Sequence, residues 1–107
     1  MEVVITEYVD AFLCSVTEAA GDRILKKLGL LEEDNWWLLG KDGIIEKIDG
    51  IYKLNIRKCL GCEYRIFFGQ HRGRHWAVHA INKKKQKIDR SDIKLAKERM
   101  KWIIDNI

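Results

Sequence analysis

Apolar residues recur at helical spacing in the first half of this chain and at strand spacing in the second. The short β-branched run Val3 to Thr6 predicts an opening strand. Val9, Phe12, Leu13, Val16 and Ala20 then recur at three and four residues, the stripe of an amphipathic helix. Gly21-Asp22 reads as a break and N-cap, and Ile24, Leu25, Leu28 and Leu31 continue as a second helix. The segment EEDNWWLLGKDG has no clear period and reads as a loop or short helix. From residue 51 the period becomes two. In IYKLNIRK, Tyr52, Leu54 and Ile56 point one way, and Lys53, Asn55 and Arg57 the other. In CEYRIFFG, Tyr64, Ile66 and Phe68 share a face, opposite Arg65 and Phe67. In RHWAVHAI, Trp76, Val78 and Ala80 alternate with His75, Ala77, His79 and Ile81.

Turn chemistry joins these strands. Cys59-Leu60-Gly61-Cys62, with Gly third, suits a type II turn or a bulged variant of it, and Gln70-His71-Arg72-Gly73 makes the next. A three-stranded antiparallel meander follows. Asp89 is a candidate N-cap for a last helix, striped by Ile93, Ala96, Met100 and Ile103 and running to about Ile104. The expected fold class is α+β in the order β-α-α-β-β-β-α. It has a small, mostly antiparallel sheet, two N-terminal helices and a C-terminal helix, all packed on one face. Residues 1–107 read as a single domain, and 47% hydrophobic residues suffice for one core.

No apolar run reaches the roughly 18 residues of a membrane span. MEVVITEYVD lacks a basic stretch leading into an apolar one, so it does not read as a signal peptide. The expectation is a cytoplasmic protein with no membrane partner.

Charge sharpens the picture. Residues 1–50 carry 5 Lys and Arg against 11 Asp and Glu, a net of −6; residues 51–107 carry 15 against 5, a net of +10. A half-chain that basic predicts a surface drawn to phosphates. The polar strand face offers Lys53, Arg57 and Arg65, and the run Lys83 to Lys87 follows the third strand. Gathered together, these cations would repel one another unless an anion lay between them; an ordinary solvated sheet face is the competing reading.

Cys59-x-x-Cys62 followed by His71-x-x-x-His75 has the look of a short zinc pattern. The intervening EYRIFFGQ reads as a strand, however. It would hold His71 roughly 25 Å from Cys62, far from the common centre that tetrahedral zinc requires. No metal and no cofactor are expected. A disulfide between Cys59 and Cys62 conflicts with a reducing compartment, and Cys14, on the apolar side of the first helix, reads as core. His79 reads as a packed, hydrogen-bonded residue or, beside the cationic face, as a catalytic one. Trp36-Trp37 reads as core packing, with an exposed interface as the alternative.

The stretches GIYKLNIRK, EYRIFF, HAINKKKQKI and IKLAKERM together resemble the RelE/ParE toxin superfamily, in particular its HigB-type, phage-derived branch. The resemblance spans about residues 8–104 and includes SVTEAAGDRILKKLGLLEE, similar to the family's helix–helix segment. It implies the β-α-α-β-β-β-α fold. It also implies a toxin of a type II toxin–antitoxin system, a ribosome-dependent, metal-independent mRNA endonuclease. The ribose 2′-hydroxyl would attack the adjacent phosphate, leaving a cyclic phosphate and a 5′-hydroxyl. Arg and Lys suit that reaction by stabilising phosphorane charge. By position, Lys53, Arg57, Arg65, His79, Lys83 and Lys84 are the implied catalytic residues, with Lys58, Lys85 and Lys87 as further RNA contacts. Arg65 and Lys84 are the expected phosphate stabilisers, and Lys53 or His79 the proton carrier. The implied partners are mRNA on the ribosome and a helix-turn-helix antitoxin. Three departures stand out: Asn55 replaces a basic residue, Ile81 and Asp89 replace Phe and Pro, and no Tyr follows Tyr64. They leave the general acid unassigned and open the alternative of a non-catalytic binding protein on the same fold.

Overall fold

The computed structural model describes residues 1–83 and 90–107, apart from the side chains of Lys58 and Cys59. Strand β1 (Glu2–Ile5) leads into helices α1 (Glu7–Ser15) and α2 (Glu18–Gly29). Two 3₁₀ segments (Leu30–Glu32 and Trp36–Asp42) follow. Then come β2 (Ile45–Ile48), β3 (Ile51–Cys59), β4 (Cys62–His71), β5 (Arg74–Lys83) and helix α3 (Arg90–Asn106). The fold is α+β, with the expected helices and meander. The five-stranded sheet has the order β1-β5-β4-β3-β2, in which only β1, beside β5, runs parallel to its neighbour.

The break between the first two helices falls earlier than Gly21-Asp22. Thr17 caps α2, its side chain accepting from the Ala20 amide at 3.2 Å, while Gly21 is buried inside the helix. Strand β2 was not expected. It pairs antiparallel with β3 through Asp49-Gly50, whose positive φ values of 51° and 84° make a type I′ hairpin. Leu60-Gly61 (54° and 82°) and Arg72-Gly73 (52° and 70°) repeat the device, so the Cys59–Cys62 turn is type I′ rather than type II. Such turns match the right-handed strand twist and fix the register of the long strands.

Helices cover both faces of the sheet, not one. Val9, Ile24, Leu28 and Leu31 pack with Leu54, Ile56, Tyr64, Ile66 and Phe68 on the first face. On the other, Ala96, Met100 and Ile103 of α3 pack against Ile51, Phe67, Trp76 and Val78. Strict alternation along β5 fails at one point. Phe68 pairs with Ala77 but Phe67 with His79, so Val78 is a bulged extra residue. The bulge reverses the phase: Ala80 turns toward the first core and Ile81 toward α3, while His79 stacks on Phe67 with ring centroids 5.5 Å apart. The α3 stripe is as expected, and the helix extends to Asn106; its proposed cap, Asp89, lies outside the described residues.

Cys14 is exposed, not core. The Trp pair divides. Trp36 packs edge-on to Tyr52, Phe68 and His75, and Trp37 is exposed. Cys62 and His71 sit at opposite ends of the ten-residue β4. Among the described residues, no helix is long and apolar enough to cross a membrane.

Candidate functional site

Four strands build one polar patch on the α3 side of the sheet, beyond the stretch where α3 packs. Pleating puts Lys53 and Asn55 of β3 and Arg65 of β4 on this face. Asn55 stands opposite Arg65 in the ladder. All three are nearly fully buried, at 4%, 3% and 4% exposure. Lys83, at the end of β5, pairs in register with Glu63.

Strand β2 adds a group that sequence reasoning missed. Glu46 lies directly across the ladder from Lys53, and its Oε2 is 3.2 Å from Lys53 Nζ. Its Oε1 accepts from Asn55 Nδ2 at 3.0 Å, and the same amide also donates to the Gly43 carbonyl at 2.7 Å. The departure at Asn55 therefore has a structural use: it fixes a carboxylate beside the lysine. Arg65 is less well served. Nη2 reaches Glu63 Oε2 at 3.4 Å, while Nε and Nη1 are buried with no hydrogen-bond partner among the described residues. Two such donors in a charged group are costly, because a buried unpaired donor forfeits its hydration.

The fields follow from this geometry. Burial pushes the Lys53 ammonium below the ordinary lysine range; Glu46 opposes the shift, and the charges of Arg65 and Lys83 add to it. Burial alone would raise the Glu46 carboxyl, but the hydrogen bond and charge of Lys53, with help from Asn55 and Arg65, hold it below its usual value. Burial also lowers Arg65, with Glu63 opposing and Arg57 reinforcing. The arrangement is an ionised carboxylate beside a lysine that gives up its proton more readily than usual, next to a guanidinium in need of an acceptor.

The other sequence candidates divide. His79 is on the same side of the sheet but engaged elsewhere. Its Nε2 faces Asp92 Oδ1 at 2.8 Å, its Nδ1 faces Arg99 Nη1 at 3.3 Å, and Arg99 also donates to the Val78 carbonyl at 2.9 Å. Both ring nitrogens are thus tied to α3. Arg57 is exposed at the rim. Lys58 lies on β3 and its side chain is outside the described structure, as are Lys84, Lys85 and Lys87 altogether. Among the described residues, no three His, Cys, Asp or Glu side chains gather as metal ligands would.

Residues 11–101 match the family described as Phage derived protein Gp49-like (DUF891). The match covers most of the chain, which therefore belongs to this family, a member of the RelE/ParE-like toxin superfamily. No curated protein matches the chain.

Proposed function

From this family membership and the patch just described, we propose a toxin of a type II toxin–antitoxin system, of the HigB-type branch. It cleaves mRNA on the ribosome without a metal ion. The observation that carries the reading is Arg65, a buried guanidinium with two nitrogens unpartnered among the described residues, beside the Glu46–Lys53 pair. A phosphodiester supplies the missing acceptors, and guanidinium matches its geometry.

The chemistry assigns each group a task. Glu46, ionised at neutral pH, takes the 2′-hydroxyl proton as the 2′-oxygen bonds to phosphorus. Arg65, with Lys83 nearby, stabilises the charge gathering on the phosphorane oxygens. The bond to the 5′-oxygen breaks, and Lys53 supplies that oxygen with a proton, leaving a 2′,3′-cyclic phosphate and a 5′-hydroxyl. Glu46 then returns its proton to Lys53 across their 3.2 Å contact. Glu46 displaces His79 as the base in this scheme, because both nitrogens of His79 are occupied. His79 instead holds the first turn of α3 through Asp92. A helix-turn-helix antitoxin that covers the patch completes the system in the cytoplasm.

The test is induced expression of the wild type, Arg65→Ala and Glu46→Gln, with growth followed and mRNA 5′ ends mapped. New ends in translated messages are expected for the wild type. They should be lost in Arg65→Ala and reduced roughly 10²–10⁴-fold in Glu46→Gln, the usual worth of a general base. Arrest without new ends would instead indicate a binding toxin on the same fold, and absence of arrest a non-catalytic relative.

A further inference from the structure

The cationic face does not stop at Arg65. Asn55, opposite Arg65 in the ladder, donates to the Gly43 carbonyl. A Cβ built at Gly43 would stand 3.7 Å from Arg57 Nη2. Beyond Gly43, Arg57 lines a second cleft of about 270 Å³ together with Arg23, Lys26 and Lys27 of α2, over a floor that includes Leu30 and Ile56.

The charge there is one-sided. Four cations from two different elements border the cleft, and among the described residues no carboxylate lines it. The positions 23, 26 and 27 follow helical spacing, so α2 turns all three to the same side. Lys26 and Lys27 in the last turn favour the helix dipole. That accounts for neither Arg23, earlier in the helix, nor Arg57, which comes from the sheet. Cations gathered on one side of a cleft raise the local potential and attract an anion. The charge of Arg57 also reaches Arg65, so the cleft and the patch share one field.

We propose that this cleft is a second RNA subsite, holding backbone phosphates of single-stranded RNA that flank the scissile one. The inference rests on reading the Arg65 patch as the cleavage site. Continuity argues for RNA over an acidic protein segment. An RNA strand held at Arg65 on the α3 side would reach the α2 side past Gly43, where Arg57 stands. The apolar floor of Leu30 and Ile56 suits the non-ionic ribose and base faces between phosphates. A subsite of this kind would grip the message on one side of the cut through charge, without reading its bases.

The probe is a 2′-O-methyl RNA decamer, which lacks the attacking hydroxyl, with binding by the full chain read as anisotropy across a salt series. In Lys26→Ala/Lys27→Ala, whose melt should match the wild type, affinity should fall about tenfold or more. The slope of log K against log salt should become shallower by about 1.4, from two phosphate contacts at roughly 0.7 each. Lys26→Arg/Lys27→Arg should keep both values, and a 2′-O-methyl trinucleotide should bind variant and wild type alike. Unchanged decamer affinity and slope would overturn the proposal. So would an equal loss with the trinucleotide, or a loss confined to a polyglutamate probe, which would mark the cleft as a site for acidic protein. The probe cannot be cut, so failure of the cleavage reading would show separately, as an absence of new mRNA 5′ ends on induced expression beside normal decamer binding.

Discussion

Burial decides what single residues can do here. His75 is fully buried against Trp36 and Phe68, with Gln70 Nε2 3.1 Å from its Nδ1. Burial, aided by the charge of the N-terminus, lowers its pKa, with a backbone contact at Leu31 opposing. The unfolded chain therefore binds this proton first. His75 contributes in full above about pH 6.5, and the contribution is lost as pH falls from there toward the folded value. Glu46, also lowered, has a separate window: its contribution is lost only as pH drops below about 4.5. Urea unfolding from pH 7.5 to 3 should show two falls in stability, and His75→Gln should flatten the first alone. Leu60 offers the opposite case, a side chain in left-handed backbone at φ 54°. Leu60→Asn should stabilise the hairpin by about 0.5–1 kcal/mol, read from the urea midpoint. The sequence made Lys53, Asn55 and Arg65 legible, because pleating alone assigns them one face. It concealed Glu46, a lone acid in an acidic half, which gains meaning only from a cross-strand neighbour.

Elements were legible where their pattern was long and illegible where it was short or interrupted. β3 and β4 announce themselves over nine and ten residues. The four residues of β2 do not, although Asp49-Gly50 is a strong hairpin signal. The β5 bulge is invisible to a period-two rule, since Val78 looks like any other inward residue until its partners are known. The second helical face was hidden for a related reason. Ile51, Phe67 and Val78 share their strand side with Lys53 and Arg65, so one face is half core and half site. Where α3 covers it, contact is close: a Cβ on Gly69 would stand 2.9 Å from Met100 Cε and 3.0 Å from its Cγ. Gly69→Val should cost about 1–3 kcal/mol by overpacking. Met100→Ala in that background should cost less than it does alone, a coupling that a double-mutant cycle in urea would measure.

At the scale of the molecule, the division into a −6 half and a +10 half is partly undone by folding. Carboxylates of the acidic half meet cations of the basic half at Glu2–Arg74, Glu46–Lys53 and Asp49–Lys97. The pairing is incomplete at Arg65: Glu63 engages one nitrogen, and among the described residues the other two have no partner. An anion that satisfies the others binds the native state and not the unfolded one, so it must stabilise the fold by mass action. Inorganic phosphate at about ten times its dissociation constant should add about 1.4 kcal/mol, a rise in Tm of roughly 5–10 °C for a domain of this size. Phosphate also stabilises most proteins by exclusion from their surface, so the informative quantity is a difference. Arg65→Ala should keep the general increment and lose the mass-action one, leaving a linear response to phosphate where the wild type shows a steeper early rise that flattens logarithmically toward the same slope. If both proteins respond linearly, the buried guanidinium does not bind phosphate, and the assignment of Arg65 to phosphorane stabilisation falls with it.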